Sequence, residues 1–133
     1  MRNPFLTLEN RTQVCREYTK LWADFFKMFA DDLVHRKIHE NDEAAFQQML
    51  SLLALNHFKF AELMGDKLKD PEGILEVLCE AVSLSHLKMQ SEAQFSKLQV
   101  DWHTLFLDMN KCLGKLQSEL HMRQEKKKKK KKK

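Results

Sequence analysis

His35 and His39 are the residues whose spacing most directly invites chemistry. Four positions apart on one continuous helix, two imidazoles share a face, an arrangement that suits a transition metal or a pH-sensitive site. Asp31, Asp32, Glu40, Asp42 and Glu43 lie close in sequence and would supply carboxylates. The pair lacks the intervening glutamate of a His-Glu-x-x-His metalloprotease helix, and the neighbouring Arg36 and Lys37 oppose a bound cation. A solvated helix end, where histidine suits the negative pole of the macrodipole, accounts for the same residues without a metal. His57 falls on an apolar stripe and is expected in the core, bonded to a carbonyl. Asp101 and His103 flank Trp102 and diverge on a helix, so they form no dyad.

Nucleophiles fare no better. Cys15, Cys79 and Cys112 are odd in number, widely spaced and set among apolar neighbours. They predict buried, reduced thiols in a cytoplasmic protein, with no disulfide framework and no histidine nearby in sequence to activate a thiolate. Three glycines in the whole chain leave no glycine-rich phosphate loop and no nucleophile elbow. The reading is therefore non-catalytic, with no cofactor, metal or small-molecule substrate expected. Two aromatic runs, Phe58-Lys59-Phe60 and Trp22-Phe25-Phe26-Phe29, have the look of base-stacking platforms. Their helical spacing assigns both to a core instead.

The elements that carry these residues are helices. Only three glycines and two prolines occur in 133 residues, too few for the turns of an all-β chain. With 43% hydrophobic and 32% charged residues, one folded domain is expected. The longest strongly apolar stretch, Met49–Leu55, is far short of a membrane span, and no secretory signal opens the chain.

Asn3-Pro4 marks a helix start, with Asn10 or Thr12 as later alternatives. The stripes Val14, Tyr18, Leu21, Phe25 and Cys15, Trp22, Phe26, Phe29, Leu33 give this first helix an apolar face wide enough for two neighbours. A second helix over roughly Glu43–Lys69 is the most apolar, with one stripe of Phe46, Leu50, Leu53, His57, Phe60 and Met64 and Met49, Leu52 and Leu63 beside it. That width predicts the central, most buried element. Asp70-Pro71 caps and restarts the chain.

From Ile74 a heptad register runs through Val77, Ala81, Leu84, Lys88, Ser91, Phe95, Leu98, Trp102, Leu105, Met109, Cys112 and Leu116. Retained phase, with no glycine or proline between Gly73 and Gly114, favours one long helix that is bent or weak near residues 88–94. Ser91-Glu92-Ala93-Gln94 matches a capping box and supplies the alternative, a break there and a four-helix bundle. The fold class expected is all-α: an antiparallel bundle of three long helices with coiled-coil-like packing, in a single domain over residues 1–125. Continuous from Pro71 to Glu125, the last helix would span about 80 Å, longer than so small a body. Phe95, Leu98, Trp102, Leu105 and Met109 would then overhang and need a helical protein partner or a second copy to cover them.

Lys126–Lys133 is a run of eight lysines expected to be disordered. Without it the 23 basic and 19 acidic side chains that give +4 become 15 against 19, a net of −4. Binding to nucleic acid or an anionic membrane thus rests on the run alone, and so does a nuclear address in place of a cytoplasmic one. A lysine run also arises where a poly(A) tract is read as coding sequence. Asn3-Pro4-Phe5 resembles the Asn-Pro-Phe peptide recognised by EH domains of endocytic adaptors, and covers three residues only. Three long helices with a bend in the last resemble, in outline, BAR-type membrane-surface dimers; the acidic body is unlike their basic concave face. The function expected is a non-catalytic subunit, adaptor or scaffold, with a BAR-like trafficking module or polylysine-mediated nucleic-acid binding as alternatives.

Overall fold

The computed structural model describes residues 4–35 and 37–131, with side chains described over 8–30 and 37–127. All its regular elements are helical: α1 Pro4–His35, α2 Glu40–Met64, α3 Pro71–Ala81, α4 Leu84–Met89 and α5 Glu92–Lys131. A single 3₁₀ turn, Gly65–Lys67, follows α2. None of the described helices is long and apolar enough to cross a membrane.

Local chemistry explains most of the boundaries. The His39 backbone N–H donates to Asp42 Oδ2 at 3.0 Å, closing the first turn of α2, and Glu40, Asp42 and Glu43 suit its positive pole. Gly65, at φ 58°, ends that helix with its N–H on the Ala61 carbonyl. Asp70 accepts from the Gly73 N–H at 3.0 Å and Pro71 takes the first helical position, as their order in the sequence predicts. A Cβ at Gly73 would run into the Asp70 carboxyl and sit 3.2 Å from Leu105, so this glycine permits both the cap and the close approach of α5.

The single long helix expected from Pro71 is not formed. It is broken twice, at Val82-Ser83 and at Gln90-Ser91. Ser83 Oγ accepts from the His86 N–H at 3.0 Å and starts α4. Glu43 reaches across from α2 to take the Leu84 and Ser85 N–H groups and the Ser85 hydroxyl, filling the remaining donors of that turn. The Val82 carbonyl accepts from Gln47 Nε2 at 2.6 Å, which fixes the α3–α4 corner at a φ of 21°. At the second break the Ser91 capping box forms in both directions: Ser91 Oγ accepts from the Gln94 N–H at 3.2 Å, and Gln94 Oε1 from the Ser91 N–H at 3.3 Å. Phase survives because every piece must still bury one stripe against the same core. Periodicity therefore did not report continuity.

After the second break α5 doubles back. Its contacts with α1 run in opposite order along the two chains: Cys15 Sγ to the Met109 carbonyl, Trp22 on Trp102, Phe29 against Phe95. Each step is seven residues on both helices, an antiparallel heptad register. α2 also runs counter to α1, with Arg11 Nε on the Leu63 carbonyl at 2.6 Å, the Tyr18 hydroxyl on the Leu53 carbonyl at 2.8 Å and Phe25 beside Phe46. α1, not α2, is the central element, packed principally on α5 and α2. The α5 helix enters the lysine run as far as Lys131, where the sequence predicts disorder; cations at a helix C-terminus suit its negative pole.

Candidate functional site

The five residues expected to form an open seam are placed inside the fold. Leu98 is 1% exposed, Trp102 6%, Leu105 5% and Met109 0%, with Phe95 half-buried. The long overhang that would have uncovered them does not exist, because α5 folds back over α1. Trp102 Nε1 donates to the Trp22 carbonyl at 3.0 Å and Trp22 Nε1 returns the bond to the Trp102 carbonyl at 3.1 Å. The two indoles lie nearly parallel, at 6° and 6.2 Å between centroids, with Phe26 and Phe106 stacked on Trp102. Each buried N–H is satisfied, so two large side chains join the core without an orphan donor.

A second buried polar group fastens the α2–α3 connection to α5. Asp108 accepts from the Lys69 N–H at 2.9 Å, the Cys112 thiol donates to the Lys67 carbonyl at 2.9 Å, and Lys67 pairs with Glu119 at 3.2 Å. Spacings of four and seven put Asp108, Cys112 and Glu119 on one face of α5. Burial, then the nearby Asp108 carboxylate and Cys15, push the Cys112 thiol from the usual 9.0 up to about 11. Burial also raises Cys15, against the hydrogen bond from Thr19 and the charge of Arg16. These two cysteines are the buried thiols expected. Cys79 is exposed on α3, contrary to expectation, because Val77, Leu78 and Ala81 take the core side of that helix.

His57 sits in the core as expected, 3% exposed, with Nε2 2.6 Å from the Pro71 carbonyl. A carbonyl only accepts, so Nε2 carries the proton and the ring ties α2 to the start of α3. His35 and His39 do not share a helix face: His35 is the last residue of α1 and His39 precedes α2. The side chains of Asp31, Asp32 and His35 lie outside the described residues, as does Asn3 of the Asn-Pro-Phe peptide. Among the described residues no group of three or more His, Cys, Asp or Glu side chains could hold a metal ion. A groove of about 440 Å³ between α3 and α5 is lined by Val77, Leu105 and Leu107 among acids and lysines. Of its five acids, Asp70, Asp101 and Asp108 already hold a helix cap, Lys97 and the Lys69 backbone respectively, while Glu76 and Glu80 complete the lining.

The unassigned surface is on α2. Leu52 is 41% exposed, Leu55 79% and Phe58 72%, and they lie at three-residue intervals along the side opposite Phe46, Leu53 and Phe60. Phe58 and Leu52 were expected in or beside the core; α2 is flanked by α1, α3 and α4 on its inner side only. The signal that could have found this face was the apolar width of α2, which a central position also explains. No protein-family model, no curated protein and no solved structure matches this chain.

Proposed function

We propose that this chain is a non-catalytic helical interaction protein, a subunit, adaptor or scaffold, that docks a partner helix on the outer face of α2. The observation that carries this reading is the row Leu52, Leu55 and Phe58, large apolar side chains left facing water on a helix whose other side is fully packed. Isolated exposed apolar residues are ordinary; a contiguous helical row of them is characteristic of helix-in-groove and helix-pair recognition. The 95–116 seam serves a different purpose in this reading, closing the chain on itself over α1 and α3. A photo-crosslinking residue in place of Phe58, irradiated in cells expressing the full chain, should give an adduct of higher mass. The same residue at His103, exposed on α5, should give far less. Equal labelling at both positions, or none at 58, would remove the reading.

A second reading draws on the end of α5. Leu116 is the last fully buried residue there, and His121–Lys127 are all exposed on a helix that continues to Lys131. Such a basic helical end suits polyanions, either nucleic-acid phosphates or an anionic leaflet. It predicts binding to both heparin and anionic vesicles that falls steeply with salt and vanishes when residues 126–133 are deleted. Sedimentation with liposomes before and after that deletion also tests a BAR-like role, since binding by the body of the fold would survive it.

A further inference from the structure

We infer that the outer face of α2 takes the same face of a second copy of this chain, the two helices antiparallel about a two-fold axis at Leu55. This names the occupant of the docking surface and rests on that reading. A two-fold contact requires that whatever lies opposite residue i must in turn find i opposite itself. Any helical row at i−3, i and i+3 meets it in spacing; here all three positions are large, exposed and apolar, so each contact it forces is apolar on apolar. Leu55, the most exposed of the three, has Leu52 three residues before it and Phe58 three residues after. An antiparallel copy therefore sets Leu55 on Leu55 and packs Leu52 against Phe58 twice, a large ring against a smaller aliphatic group on each side.

Charge selects this orientation. On the ridge around Leu55 the flanking exposed residues are Gln48 and Ser51 before it, and Lys59 and Glu62 after it. Both charges fall on one side of the axis. The two-fold places Lys59 across from Ser51 and Glu62 across from Gln48, so no charge meets its like. A parallel pair would instead oppose Lys59 to Lys59 and Glu62 to Glu62, and would align two macrodipoles of the same sense. Area sets the strength. The three side chains expose apolar surface on the order of 300 Å² per copy, the size at which a monomer's largest patch is often functional. Two copies with their polar flanks cover roughly 1,000 Å², the lower limit of specific association. The dimer should therefore be dynamic, with dissociation near the micromolar range rather than obligate.

The test is sedimentation equilibrium on the full chain across about 1 µM to 1 mM. The mean mass should rise with concentration from 15.8 kDa toward twice that value. Leu55→Glu should raise the dissociation constant at least tenfold with helical circular dichroism unchanged, and the milder Phe58→Ser should do so in part. Register is read by cysteine pairing in a Cys79→Ser background under a mild oxidant. Leu55→Cys should cross-link to itself, and a mixture of Leu52→Cys and Phe58→Cys chains should yield mainly the mixed disulfide. A mass fixed at 15.8 kDa to the highest concentration would overturn the inference. So would Leu52→Cys pairing with itself as readily as with Phe58→Cys. If the chain stays monomeric while a photo-crosslinker at position 58 captures a different protein, this inference fails and the docking reading stands. A monomer with no adduct at 58 defeats both.

Discussion

On α1 the large rings of Trp22, Phe25 and Phe29 are fully buried because α5 covers one flank and α2 the other. On α2 Phe46, Leu53 and Phe60 are equally buried, while Leu52, Leu55 and Phe58 on the far side stay in water. Both helices are apolar over a wide arc, and in only one of them does the chain itself cover the large side chains on both flanks of that arc. Apolar width thus measures how many surfaces want to be covered, not whether the cover comes from the same molecule. In a chain this small, a helix with a wide apolar arc has two fates, the centre of the bundle or a surface offered to something else. α1 meets the first and α2 the second.

Substitutions that separate these fates should differ by an order of magnitude in their effect on stability. Trp102→Ala removes the ring packed on Trp22, Phe26 and Phe106 and leaves the Trp22 carbonyl without the indole N–H it accepts from, so a loss of about 3–5 kcal/mol is expected by chemical denaturation. A loss below about 1 kcal/mol would mean that the α1–α5 contact is not the centre of the fold. Ser91→Ala deletes the cap of α5 and should cost roughly 0.5–2 kcal/mol, with exchange of the first-turn amides of α5 accelerated. Unchanged amide protection from Glu92 to Phe95 would argue for a helix running through from α4.

The thiols give a reading of the same contact from its chemistry. Cys15 and Cys112 face each other's helices with raised pKa values, so the folded protein favours their protonated forms. The unfolded chain releases those protons sooner, and stability should fall as pH rises above 9.0, a decline to which Cys112 contributes until about 11. Tyr18, also raised by burial, adds to the fall at still higher pH. Cys112→Ala should flatten that limb. In the native protein near neutral pH, Cys79 alone should react quickly with an aromatic disulfide reagent. The smallest stability effect belongs to the open face of α2. Phe58→Ser should shift monomer stability by no more than about 0.5 kcal/mol, measured below the concentration at which copies associate. A cost of several kcal/mol there would show that Phe58 is core after all and erase the contrast.

Much of this architecture was legible in residue order. Helical class follows from the scarcity of glycine and proline, and the Asp70-Pro71 start and the buried His57 from local chemistry and periodicity. The wide face of α1 announced two neighbours and has them. The breaks at residues 82–83 and 90–91 were harder, since a heptad register describes which side faces inward and says nothing of direction. Only Ser91-Glu92-Ala93-Gln94 carried a visible stop, while the Val82 corner depends on Gln47 and Glu43, some forty residues earlier in the chain. No local pattern encodes so distant a partner. The candidate surface was misplaced for the same reason. Without the reversal, Leu98, Trp102 and Leu105 looked uncovered and α2 looked like the central helix; folding α5 back over α1 exchanges the two.

The reciprocal pairing of the two indoles has an optical consequence. These are the molecule's sole tryptophans, one on each of the helices that must meet, stacked nearly flat and shielded from solvent. Their coupled transitions should produce a paired signal of opposite signs in the circular dichroism of the indole band, together with a blue emission. Both vanish when α5 swings away from α1, so the native chain reports its own closure with no added dye.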